Sequence, residues 1–155
     1  MSERGDAPGA APEAEIDELY QATIVEHDRA PRNYGPLAGA THHATVDNPL
    51  CGDVVTVRAR VVDGVVSEIA FEGRGCALSR ASASIMTTML RDRTVEDSRR
   101  LAGSFEHCVQ STPDAAIADD LGELRSFAGV RRFRSRRACA LLPFKALIQA
   151  LERDT

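Results

Sequence analysis

The sequence predicts an α+β fold: a small antiparallel β-sheet of about three strands covered by helices. Along Asp53–Val62, Val55, Val57, Ala59 and Val61 alternate with Thr56, Arg58 and Arg60, the pattern of a half-buried strand. Asp63-Gly64 is a strong hairpin turn, and a second strand, Val65–Phe71, follows it. From Ala77 onward the apolar period is helical. Strands first and helices later is the order of an α+β layer.

Each element has its own signal. Residues 1–13 are rich in Ala, Pro, Gly and acid, with no large apolar side chain after Met1, and read as a disordered tail ahead of one domain over residues 14–155. From Ala14 to about Ala30 the positions Ile16, Leu19, Tyr20 and Ile24 have helical spacing, and Pro31 stops that helix. Pro31–Gly39 is a turn-rich loop, and His42–Val46 adds a third strand. In the second strand Val65, Ile69 and Phe71 face one side, and Glu68 and Glu72 the other. Ala77–Arg91 is a helix with Leu78, Ala81, Ile85 and Met89 on one face. Thr94 caps the next helix, which carries Glu96 and Asp97 in its first turn and runs on to Gln110. Asp119–Phe127 is a short helix, and Ala138–Glu152 a final, largely apolar one.

Composition excludes several functions. The net charge of −4 argues against a nucleic-acid binder. No apolar run approaches the roughly 18 residues of a membrane span, and Met1–Ala14 lacks a secretory pattern. A cytoplasmic location is therefore expected, where cysteines serve as ligands or nucleophiles more often than as disulfides.

The four cysteines are Cys51, Cys76, Cys108 and Cys139. Cys51 lies in the turn sequence Asn48-Pro49-Leu50-Cys51-Gly52-Asp53, and Cys76 between a strand and a helix. Cys139 follows an arginine run and is expected to open the last helix. A thiol at a helix N-terminus is stabilised as thiolate, which would help Cys76 and Cys139. Gly73 and Gly75 clear side chains from around Cys76. In an extended segment Cys51 and Asp53 would point to the same side, so a Cys3Asp set with Cys76 and Cys139 is available to zinc or to iron. Successive spacings of 25 and 63 residues match no zinc-finger pattern. Taken singly, each cysteine also reads as a small buried apolar residue, and Asp53 as a turn residue. Cys108 sits in a helical stretch near Leu101 and Phe105 and reads as core. His107 reads as solvated, and His27 as a cation closing the first helix. His42 and His43 would point to opposite faces. The run Arg131, Arg132, Arg134, Arg136 and Arg137 reads either as a solvated loop or as a patch that docks an acidic partner or holds Cys139 as thiolate.

Together these segments resemble the NifU/IscU-like iron–sulfur assembly proteins. The resemblance rests on Asn48-Pro49-Leu50-Cys51-Gly52-Asp53, on Phe71-Glu72-Gly73-Arg74-Gly75-Cys76-Ala77-Leu78-Ser79-Arg80-Ala81-Ser82-Ala83-Ser84, and on Arg136-Arg137-Ala138-Cys139-Ala140, in that order. Pro31-Arg32-Asn33-Tyr34-Gly35 also fits, and the likeness spans about Ile16 to Leu151. IscU-type members carry a histidine where this chain has Ala138, and Ser111–Val130 looks like the insertion typical of SufU. Both features favour the SufU branch.

The resemblance implies zinc held by Cys51, Asp53, Cys76 and Cys139, with Gly52, Gly75 and Arg136 in support. It implies a SufS-type cysteine desulfurase as partner, with other SUF assembly proteins beyond it, and Cys51 as acceptor of persulfide sulfur. The other family role is a scaffold holding a nascent iron–sulfur cluster or iron on the same residues. A purely structural zinc is a third reading. Pro143 stands where relatives often have an aromatic residue, and a helix starting near Cys139 would place it in a tolerant first turn.

Overall fold

The computed structural model describes residues 21–152. The expected tail, and residues Ile16, Leu19 and Tyr20 of the expected first helix, lie outside that range. Within it the order is α1 (Ala22–Arg29), β1 (His42–Asn48), β2 (Asp53–Val62), β3 (Val65–Arg74), α2 (Ala77–Leu90), β4 (Arg93–Thr94), α3 (Val95–Gln110), a 3-10 helical segment (Asp119–Arg132) and α4 (Arg134–Glu152).

The expected α+β architecture is present, with four antiparallel strands in the order β1-β2-β3-β4. The additional strand is the two-residue β4, too short to show a period. It pairs Val65 with Thr94 and Val66 with Arg93. Asp63 and Gly64 both have positive φ, as a tight hairpin matching the strand twist requires. Along β2, Asp53, Val55, Val57 and Ala59 turn inward, while Thr56, Arg58 and Arg60 stay half-buried.

One strand phase differs from expectation. Val66, not Val65, joins Ile69 and Phe71 in the core. The β2–β3 register shifts between Arg60 and Val61, which leaves an extra residue at Ser67. One inserted residue reverses which face every neighbour beyond it takes. The Ser67 hydroxyl donates to Arg60 O at 3.0 Å and so satisfies a carbonyl at the bulge.

The helices cover the inward face, with α4 against β1 and β2, and α2 against α1 and α4. Phe105 of α3 meets Phe127 edge-on at 5.6 Å and Phe144 of α4 at 5.0 Å, joining three elements in one core. Thr94 caps α3 as expected, its hydroxyl accepting from Asp97 N–H at 2.9 Å. Leu121, Leu124, Phe127 and Val130 of the 3-10 segment are buried, so this stretch is part of the core and not a loose loop. Among the described residues no helix is long and apolar enough to cross a membrane.

The last helix starts at Arg134, four residues before the expected Ala138. Arg134–Arg137 carry no apolar period, which hid this first turn from a pattern search. Cys139 therefore lies inside α4, not at its start, and the expected help from the helix N-terminus does not reach it. Pro143 lies in the helix interior, where it withholds the N–H that the Cys139 carbonyl would accept.

Candidate metal centre

The site begins with the period of β2. The alternation that sends Val55, Val57 and Ala59 into the core also turns Asp53 inward at the strand's first residue, where it is 4 % exposed. A buried carboxylate needs partners. Asp53 Oδ1 accepts from Cys76 N–H at 3.2 Å, but Oδ2 is buried with no hydrogen-bond partner.

Cys51 reaches the same place from a turn, not from an extended strand as the two-residue spacing had suggested. Cys51 N–H and Gly52 N–H both donate to Asn48 O, at 3.2 and 2.8 Å, and Leu50 N–H donates to the Asn48 side chain at 3.1 Å. Gly52 has φ +78, and a Cβ added there would meet nothing within 4 Å, so the glycine serves the turn's left-handed backbone, not a close contact. The turn leaves Leu50 95 % exposed and Cys51 exposed beside it.

Cys76 caps α2 between Gly75 and Ala77, and Cys139 approaches from α4. A Cβ on Gly75 would sit 2.5 Å from Ser79 Oγ and 3.0 Å from Asp53 Cγ, so only glycine lets the Cys76 loop close over Asp53. The sulfurs of Cys51 and Cys139 are 3.7 Å apart. Ligand atoms of Cys51, Asp53 and Cys139 all lie within 4.8 Å of one another. Cys76 lies outside that group and interacts electrostatically with Cys139.

The thiols share a proton unequally. Cys139 donates toward Cys76 and holds it down to about 6, assisted by the Ser79 and Leu78 N–H groups and opposed by burial and the Asp53 charge. Cys139 is pushed well above the ordinary thiol range, first by its bond to Cys76 and then by burial. These shifts favour a thiolate at Cys76 and a thiol at Cys139, beside a carboxylate oxygen lacking any donor. Such a set fits a thiophilic cation: two or three sulfurs and one oxygen suit zinc, and thiolates suit iron.

Other candidates fall elsewhere. Cys108 is buried core, as expected, and His107 is exposed. His42 and His43 join no cluster of metal-binding side chains among the described residues. Arg136 is half-buried on α4, its N–H donating to Phe133 O at 2.8 Å. Two residues escaped the sequence. Arg131, expected in a solvated or docking patch, is 1 % exposed and donates to the carbonyls of Cys108 at 2.7 Å and Ala115 at 2.7 Å. His27, expected as a cation closing the first helix, is buried, with Nδ1 2.7 Å from Ser84 Oγ and Nε2 3.0 Å from Glu123 Oε1. Nothing in the pattern marks a buried polar side chain whose hydrogen-bond partners come from distant segments.

Residues 19–140 match the family model described as the NifU-like N-terminal domain. The chain belongs to that family. This NifU-like chain is 34 % identical over 141 residues to a protein of Streptococcus pyogenes named iron–sulfur cluster assembly scaffold protein IscU, covering 91 % of this chain and 87 % of that one. It is 33 % identical to the zinc-dependent sulfurtransferase SufU of Bacillus subtilis, covering 91 % and 95 %. A crystal structure of the N-terminal part of a NifU-like protein from Brucella abortus superposes with a TM-score of 0.81 at 30 % identity, covering 88 % and 94 %. Overall identity does not separate the IscU-named and SufU-named relatives of this NifU-like protein.

Proposed function

We propose that this chain acts in iron–sulfur cluster assembly as a zinc-dependent sulfurtransferase, with Cys51 accepting sulfur from the persulfide of a SufS-type cysteine desulfurase. The observation that carries the reading is the asymmetry of the site. Cys51 is exposed, while Asp53 and Cys139 are buried and Cys76 is half-buried. One thiol is open to a donor, and the others are held in place beneath it. Ala138 stands where IscU-type members carry histidine, which supports the SufU branch.

Cys51, Asp53, Cys76 and Cys139 would hold the zinc, Asp53 through Oδ2 while Oδ1 keeps its bond to Cys76 N–H. Zinc, when bound, keeps the thiols deprotonated and restrains their reactivity. In the transfer, Cys51 thiolate attacks the terminal sulfur of the donor persulfide. The new Cys51 sulfur–sulfur bond forms as the donor's bond breaks, and the donor leaves as thiolate with no net redox change. The exposed Leu50 beside the thiol offers the donor an apolar contact at the tip of the turn. Arg136, three residues before Cys139, would favour anionic sulfur nearby.

Metal and acid-labile sulfide analysis of the freshly purified protein tests the reading. About one zinc per chain without sulfide supports it. Iron with matching sulfide favours the scaffold role on the same cysteines.

A further inference from the structure

The outer edge of β3 beyond β4 is not left bare. Phe71 N–H donates to Asn33 O at 3.0 Å, and Gly35 N–H donates to Phe71 O at 2.9 Å, so the loop after α1 pairs with Phe71 as a short parallel bridge. Two residues further along, Gly73 points its backbone groups the same way. Among the described residues no strand meets them. The Tyr34 hydroxyl does: it donates to Gly73 O at 2.9 Å and accepts from Gly73 N–H at 3.4 Å. The ring is fixed edge-on against Phe71 at 5.1 Å.

No side chain fits at position 73. Its φ is +150, and a Cβ there would collide with Val54 O. On one side it lies against β2, and on the other its backbone groups bond the Tyr34 hydroxyl. Three residues later comes Cys76, whose N–H bonds Asp53 Oδ1. The phenol thus ties down β3 one residue before its end, just ahead of the metal-binding loop.

The geometry points to Tyr34 as a positioning residue for Cys76: its hydroxyl fixes the Gly73–Cys76 connection and thereby the place of the Cys76 sulfur over Asp53 and Cys139. This rests on the metal-centre reading above. Tyr34 is 47 % exposed, so water can replace its hydroxyl as a partner for Gly73. Its effect is therefore on order at the loop and not on global folding.

Tyr34→Phe keeps the ring and removes both hydrogen bonds. Amide hydrogen exchange over Gly73–Cys76 in the metal-free chain should quicken by about three- to tenfold, the range of one net hydrogen bond. The zinc dissociation constant from chelator competition should rise by a similar factor, and the cobalt-substituted protein should show an altered sulfur-to-cobalt charge-transfer band. The metal-free melting temperature should stay unchanged. Unchanged exchange at these amides overturns the proposal. So does a fall in melting temperature with exchange quickened evenly across the chain, because that is a plain structural role. Tyr34→Leu, which also removes the Phe71 contact, measures how much the ring itself adds to folding. If the unaltered chain bound neither zinc nor cobalt, the metal-centre reading would fall, and the exchange comparison would still decide whether Tyr34 positions the loop.

Discussion

The sulfurs of Cys51 and Cys139 lie 3.7 Å apart although 88 residues separate them in sequence. One sits on an exposed turn and the other inside the longest helix. The buried Asp53, first residue of β2, brings a carboxylate oxygen within 4.8 Å of both sulfurs.

Three cysteines should behave alike in sulfur acceptance and the fourth should not. Cys51→Ser, Cys76→Ser and Cys139→Ser each abolish sulfur uptake from a desulfurase, while Cys108→Ser retains it, because Cys108 is core. Radiolabelled sulfur transfer from cysteine measures this. Loss of uptake in Cys108→Ser alone would show the site to be misassigned.

Asp53→Asn keeps an oxygen for the Cys76 N–H and loses the charge. Zinc affinity should fall by at least about tenfold while the metal-free fold persists. Chelator competition and circular dichroism read the two effects. Unchanged affinity would remove Asp53 from the ligand set.

The metal-free chain should be most stable near pH 9. Cys76 is lowered from its ordinary 9.0 to about 6, and Cys139 is raised. Between these pH values the unfolded chain holds a Cys76 proton that the folded chain has lost, so stability rises with pH and is lost as pH falls through about 6. Above about pH 9 the unfolded Cys139 releases a proton that the folded chain keeps, so stability falls again. Urea midpoints of zinc-free protein across this range test it, and a midpoint flat from pH 6 to 9 contradicts the shared proton.

Arg131→Ala should be among the most damaging changes away from the metal centre. It strands the buried carbonyls that the guanidinium now satisfies, at a cost of about 3 kcal/mol or more. Denaturant unfolding measures the loss. Zinc content of the folded variant at saturating metal should match that of the unaltered chain.

Gly75→Ala forces a Cβ to 2.5 Å from Ser79 Oγ and 3.0 Å from Asp53 Cγ. Ser79 can swing away, but Asp53 is fixed by its strand. Stability should drop by about 1–3 kcal/mol, and zinc should bind more weakly. A normal zinc affinity would show that Asp53 has room to move.

Where a residue's role follows from local period or turn chemistry, the sequence already displayed it. The β2 alternation, the Asp63-Gly64 turn, the Thr94 cap and the position of Cys76 before α2 are of this kind. That Cys51, Asp53 and Cys139 come together was legible only through resemblance, since their spacing alone is uninformative. What stayed hidden depends on distant partners or on broken periods. The Ser67 bulge reversed Val65 and Val66. The arginine-rich first turn of α4 concealed that Cys139 and Pro143 lie beyond the helix's first turn. Arg131 and His27 are buried because segments far along the chain bring them hydrogen-bond partners, which no local pattern records.

The most direct test of the central claim is mass spectrometry of the zinc-loaded chain after incubation with a SufS-type desulfurase and cysteine, with the modified residue mapped by peptide sequencing. The account predicts one added sulfur on Cys51. A chain that instead gains iron and acid-labile sulfide under assembly conditions, with no persulfide on Cys51, would contradict it.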